Sequence, residues 1–172
     1  MQTILLIPVP ESETIVGKWR KKYDPSEIHG IPAHITLLFP FKNPQDINSV
    51  VIHQLKNLFI KVKKFSFTLS KINTFPGVIF LEPEPKDPFI SLTEEIARLF
   101  PENPPYEGKF DTINPHLTIG HKFNKQVDIN KVQEKIAHNI QQKLPIKAVA
   151  EEVCLMEKVD EDWLLRYHFF FY

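Results

Sequence analysis

Two stretches of this chain alternate polar and apolar residues alike, and each sets a histidine two places before a threonine. They are Ala33-His34-Ile35-Thr36-Leu37-Leu38-Phe39 and Pro115-His116-Leu117-Thr118-Ile119-Gly120. In a strand, successive side chains point to opposite faces. Each His therefore shares a face with its Thr, while Ile35, Leu37, Leu117 and Ile119 turn the other way. Both stretches predict strands with one apolar face to bury and one polar face carrying an imidazole beside a hydroxyl.

The surroundings repeat too. Thr3–Ile7 reads as a strand, and Ser12–Lys22 as a helix with Ile15, Val16, Trp19 and Tyr23 at helical spacing. The His34 strand follows, then a helix over Asp46–Ile60 and a strand in which Phe65, Phe67 and Leu69 alternate with Ser66 and Thr68. A second round runs from a strand at Val78–Leu81 through a helix at Pro88–Phe100 to the His116 strand. A helix at Ile129–Leu144 and two closing strands, near Lys147–Met156 and Trp163–Phe171, complete it.

Pro32 and Pro115 precede the two motifs, Tyr23 and Tyr106 stand upstream of them at nearly equal distance, and Phe41 and Phe123 follow at equal distance. The reading is an α+β fold of duplicated βαβαβ-type repeats, approximately 1–75 and 76–172, within one bilobal domain spanning 1–172. A pseudo-twofold between the lobes would set antiparallel-rich sheets around a central cleft, helices outside, with the motifs facing each other.

Lys plus Arg and Asp plus Glu both number 21 in the 172 residues, so the formal net charge is zero. A protein that tracks a long phosphate backbone carries a basic surplus. Neutrality points instead to a small or short-ended phosphate substrate, and speaks against a sheet-type RNA-binding domain. The single Cys154 excludes an internal disulfide framework. No segment approaches the roughly 20 apolar residues of a membrane-spanning helix, so the expected location is the cytoplasm, with no membrane partner. No paired cysteines or helical His pair suggest zinc, and five glycines leave no phosphate-cradling loop, so no metal or cofactor is expected.

Two imidazoles with an ordinary pKa of about 6.5 suit acid–base chemistry, because near neutrality one can be neutral and the other protonated. On that basis the pH profile of catalysis is expected to flank 6.5.

With its two His-x-Thr motifs in a duplicated frame, the chain resembles the 2H phosphoesterase superfamily, in its 2′-5′ RNA ligase-like and cyclic phosphodiesterase branch. Arg20-Lys21-Lys22-Tyr23-Asp24-Pro25 and Ile31-Pro32-Ala33-His34 are also similar to small bacterial members. The resemblance covers nearly the whole chain, and it implies a bilobal α+β fold and metal-free hydrolysis of 2′,3′-cyclic phosphates or 2′-5′-linked phosphodiesters. It implies His34 and His116 as general acid and base, with Thr36 and Thr118 donating to the non-bridging oxygens. The implied partners are RNA ends or small nucleotides. Run backwards, the same pair would join a 2′,3′-cyclic end to a 5′-hydroxyl. One departure is that Leu37-Leu38-Phe39 stands where some members carry a basic residue.

A different class of function, a nucleotide-binding module without turnover, would use the same cleft. Tyr23, Phe41, Tyr106 and Phe123 are candidates to stack a base, and His29 is placed to reach substrate. His53 and His138 read as solvated. His121 reads as structural and, at an odd offset from His116, as facing away from the cleft. A self-contained pair of lobes is expected to be a monomer.

Overall fold

Among the described residues every strand pairing is antiparallel, and the pairings join eight strands into one sheet in the order β6-β3-β4-β5-β2-β1-β7-β8. The structure is a computed structural model and describes residues 2–109, 112–123 and 126–172. The strands are β1 (Gln2–Pro8), β2 (His34–Leu38), β3 (Phe65–Phe75), β4 (Val78–Glu84), β5 (Leu117–His121), β6 (Ile146–Ala150), β7 (Glu152–Val159) and β8 (Asp162–Phe170). Four α-helices alternate with them among the described residues: α1 (Glu13–Tyr23), α2 (Ser49–Phe59), α3 (Asp87–Leu99) and α4 (Ile129–Ile140).

Local signals account for two of the helix starts. Asn48 accepts hydrogen bonds from the backbone N–H groups of Val50 and Val51 and so starts α2, and Asp128 does the same for Asn130 and Lys131 at α4. Between Ile140 and the following strand, the predicted long last helix gives way to a 3₁₀ turn over Gln141–Lys143. The closing segment differs from expectation. Lys147–Met156 is not one strand but two, broken at Glu151, with no glycine or proline to mark the break. β6 pairs with β3 at one edge of the sheet, whereas β7 pairs with β1 in the other half. Likewise β3, which follows α2 in the first round, pairs with β4 and β6 of the second.

The halves meet where β2 pairs with β5 through Ile35 and Leu117. One face of the whole sheet carries Leu5, Ile7, Ile35, Ile79, Leu81, Leu117 and Leu155, all fully buried in a single core with the apolar faces of the helices. The helices cross the seam. α1, which links β1 to β2, packs on β5, and α3, which links β4 to β5, packs on β2. Each half is therefore roofed partly by the other's helix, which merges the two cores.

Inside that roof sits a buried charge. The Arg20 side chain is 1% exposed and donates to Asp24 Oδ2 at 3.0 and 3.2 Å, to the Ile31 carbonyl at 3.0 Å and to Glu13 Oε1 at 3.3 Å. Glu13 also accepts from the Ala33 N–H at 2.6 Å, and Asp24 Oδ1 lies 3.0 Å from His121 Nε2. A guanidinium taken out of water needs this saturation, since a lone buried charge costs several kcal/mol. The network ties the end of α1 both to the residues before His34 and to the end of the His116 strand.

At that last contact the chain needs glycine. A Cβ on Gly120 would stand 2.7 Å from Tyr23 Cβ, 2.8 Å from Phe123 Cζ and 3.1 Å from the Tyr23 carbonyl oxygen. Two of these neighbours belong to the backbone or lie next to it and cannot rotate away. Gly120→Ala is therefore expected to destabilise the fold by about 1–3 kcal/mol, the usual cost of overpacking, read as a lower urea midpoint at unchanged m-value. A midpoint equal to wild type would mean that α1 does not sit this close to β5.

Candidate active site

The register at the seam builds the site. With Ile35 opposite Leu117 in an antiparallel pair, the flanking residues fall with His34 opposite Thr118 and Thr36 opposite His116. All four turn to the face opposite the core, and directly opposed side chains on such a face stand about 4.5–5.5 Å apart at Cβ. Neighbouring strands extend these rows: Phe80 of β4 lies opposite Thr118, and Leu6 of β1 opposite Thr36. Two imidazoles and two hydroxyls thus form a diagonal quartet on four apolar supports, Ile35, Leu117, Ile7 and Leu81.

Both rings are held the same way. His34 Nδ1 lies 2.7 Å from the Pro32 carbonyl and His116 Nδ1 lies 2.7 Å from the Asn114 carbonyl. A carbonyl only accepts, so Nδ1 carries the hydrogen in each ring and Nε2 keeps its lone pair. His34 Nε2 is 3.2 Å from Thr36 Oγ1, where the hydroxyl donates. The prolines before each motif contribute through the backbone: Pro32 supplies its carbonyl directly, and Pro115 follows the residue that supplies it for His116.

Electrostatics keep both rings neutral. Burial pulls the His34 pKa from the ordinary 6.5 down to about 4; the Pro32 carbonyl opposes this, the Arg20 charge adds to it, Asp24 opposes and His116 adds. His116 is lowered chiefly by burial, against the pull of the Asn114 carbonyl, with the Lys86 charge adding. Asp24 itself is pushed up by burial, but hydrogen bonding from His121, the Arg20 charge and the Ser26 N–H outweigh this and leave it low. The expectation of two imidazoles near 6.5 is corrected here: in the free protein the site holds no ammonium-like charge of its own at neutral pH.

The second motif has a supporting network of its own. Lys86 Nζ pairs with Glu82 Oε1 and donates to Asn114 Oδ1, both at 3.3 Å, and the Asn114 N–H donates to the Tyr106 hydroxyl at 3.3 Å. Tyr106 therefore adjoins His116 through Asn114. The other aromatic candidates fall elsewhere. Phe41 is 2% exposed, packed edge-on to Phe100 at 5.1 Å, and has no face to offer a base. Tyr23 and Phe123 pack on each other at 5.6 Å against the main core beside Gly120. His29 lies over the β7–β8 turn with Nδ1 3.3 Å from Asp162.

The rings beside His116 are instead Phe75, edge-on at 5.3 Å, and Phe80 at 5.2 Å, themselves stacked at 4.1 Å. Their signal is the β3–β4 register, which pairs Phe75 with Val78 two residues from Phe80. No local pattern in the sequence reveals it. His121 also departs from expectation. A bulge places Ile79 opposite Gly120 but Phe80 opposite Thr118, so His121, opposite Val78, returns to the Thr118 face. There it binds Asp24 and Ser26. Cys154 is buried on the Thr36 side of the sheet, and burial with the Glu152 charge pushes its thiol up to about 12. No helix among the described residues is long and apolar enough to cross a membrane.

The profile of one family, the 2′-5′ RNA ligase superfamily, matches residues 8–162. The chain belongs to this superfamily. A Bacillus pumilus relative is 30% identical over 129 residues and a Bacillus licheniformis one 29% over 125, each match covering 70% of both chains; both are provisionally named phosphoesterases. Among solved structures, E. coli LigT complexed with 3′-AMP superposes at a TM-score of 0.63, covering 99% of this chain and 97% of LigT at 16% identity. A Thermus thermophilus protein superposes at 0.65, covering 99% and 97% at 18% identity. At these identities the structural likeness is one of fold.

For this member of the 2′-5′ RNA ligase superfamily, the neutral rings make a prediction about stability. Unfolded His34 takes up a proton below about 6.5, and folded His34 only below about 4. The unfolded state thus binds more protons between these values. The contribution of His34 is intact above pH 6.5 and is lost as pH falls toward 4, by up to about 3 kcal/mol. Urea unfolding across this range should show a slope that His34→Gln reduces, the remainder coming from His116, whose ring is lowered in the same sense. A variant that kept the full slope would show that His34 is not held neutral. Asp24 loses its contribution only below the ordinary carboxylate range and leaves this window clear.

Proposed function

We propose that this protein is a metal-independent phosphoesterase acting on 2′,3′-cyclic phosphates or 2′-5′ linkages at RNA ends or on nucleotides, with His34 and His116 as general acid and base. The observation that carries the reading is the quartet: two Nδ1-anchored imidazoles on one sheet face, each at a register position opposite the other motif's threonine. The nucleotide and phosphate complexes in which LigT has been solved, with 3′-AMP, NADP+, ATP and phosphate, support a phosphate-bearing ligand.

In hydrolysis, the neutral imidazole takes a proton from water as its oxygen bonds to phosphorus. The protonated partner gives its proton to the ribose oxygen as the P–O bond breaks. Thr36 and Thr118 donate to the non-bridging oxygens, whose charge grows in the transition state. With both rings lowered in the free protein, the acid must gain its proton with the substrate. A phosphodiester anion between the rings favours the protonated form. Phe75 offers a partly exposed ring beside His116 for a base or ribose.

Two measurements test this. His34→Ala and His116→Ala should each lower kcat by about 10²-fold or more on the best of a panel of 2′,3′-cyclic nucleotides and 2′-5′ dinucleotides, in the presence of EDTA. Wild-type rates in both variants would refute the mechanism, and tight binding by wild type without turnover would make the protein a binding module. The kcat/KM profile, which reports the free protein, should be a bell centred on the acid side of 6.5, and the kcat profile should move to higher pH. A kcat/KM optimum above 6.5 would contradict the lowered pKa values.

A further inference from the structure

The transverse row that holds Thr36 continues away from the quartet. Leu6 lies opposite Thr36 on one side and opposite Cys154 on the other, and Cys154 lies opposite His168 of β8. Glu152, two residues before Cys154 on β7, shares its face. Three metal-ligating side chains from two adjacent strands converge there, their ligand atoms all within 4.8 Å of one another. Cys154 Sγ is 3.7 Å from His168 Nδ1, and the same nitrogen is hydrogen-bonded to Glu152 Oε2.

We propose that Glu152, Cys154 and His168 form a binding site for one zinc-class divalent cation. A sulfur and an imidazole nitrogen bound tetrahedrally to zinc, at about 2.3 and about 2.0–2.1 Å, stand roughly 3.5 Å apart. The Cys154–His168 separation already has that span, so a cation enters with small side-chain rotations and no strand movement. The donor set, one soft thiolate, one imidazole and one carboxylate, selects zinc, cobalt or their neighbours over magnesium and calcium, which take oxygen ligands.

On binding, the thiol proton goes to solvent and the imidazole hydrogen moves from Nδ1 to Nε2. Cys154 is buried, Glu152 part-buried and His168 exposed. The site is therefore floored by protein and open above, leaving a fourth position for water or a ligand oxygen. Adjacent strands are about 4.8 Å apart, which puts Cys154 about 10 Å from Thr36 along the same face. The site stands apart from the phosphate position and does not depend on the reaction proposed for it.

Composition obscures this cluster, because a lone cysteine and separated His and Glu residues form no ligand spacing. Strand pairing creates it. Titration of the full-length protein with Co²⁺ tests it directly. Wild type should bind one equivalent with a thiolate-to-cobalt charge-transfer band that Zn²⁺ abolishes by displacement. Cys154→Ser should lose the band, and His168→Gln, a change at an exposed position, should weaken binding by about 10-fold or more. His53→Gln and the His34→Gln/His116→Gln double variant should bind like wild type. Absence of the band in wild type, equal affinity in His168→Gln, or loss of binding in the double variant would each overturn the assignment.

Discussion

A single antiparallel pairing, Ile35 with Leu117, holds the candidate site together. It is short, so the two halves are not joined by a long ladder. What fixes the register is burial: Ile35 and Leu117 are both fully excluded from solvent, along with Ile7 and Leu81 in the same row. A slip of β2 by one residue would carry Ile35 to the open face and bring His34 and Thr36 into the core, exchanging a favourable burial for costly ones. The position of His34 against Thr118 and of Thr36 against His116 therefore follows from the apolar residues between them.

The crossing of α1 and α3 over the seam adds a second constraint. Because α1 belongs by sequence to the first motif and packs on the strand of the second, its terminal charges serve both. Arg20 and Asp24 bind the Ile31 carbonyl on one side and His121 on the other. A surface ion pair contributes little. This one is buried and saturated, so losing Arg20 leaves the buried Asp24 without its guanidinium partner, and breaking such a buried pair typically costs about 3–5 kcal/mol. The network also reaches the chemistry: Arg20 depresses His34 and Asp24 opposes it. Folding and proton affinity at the site share one set of groups.

The two motifs are alike in backbone and unlike in surroundings. His116 is backed by Asn114, Lys86, Glu82 and Tyr106 and walled by Phe75 and Phe80, whereas His34 is backed by the Arg20 network and lies opposite Pro8. Unequal environments let two imidazoles on like backbones differ in proton affinity, which the acid and base of the proposed reaction require.

Much of this was legible in the chain itself. The alternation around His34 and His116 predicted two strands, a shared face for each His and Thr, and burial of Ile35, Leu37, Leu117 and Ile119, because a period of two leaves no other arrangement with one buried face. Helical spacing predicted four helices to within a few residues. Of the aromatic candidates, Phe41 is buried against Phe100 and Tyr23 and Phe123 pack on each other, a distinction the sequence lacks because loop aromatics look alike whether they face a ligand or a core. Strand order, the bulge that returns His121 to the Thr118 face, the split at Glu151, Phe75 beside His116 and the meeting of Glu152, Cys154 and His168 were decided by tertiary structure alone. Each depends on which strand lies beside which. Periodicity determines the face a residue takes, a local property of the backbone, but it carries no information about the neighbour across the ladder, which is set by how two apolar faces and two crossing helices close on one core.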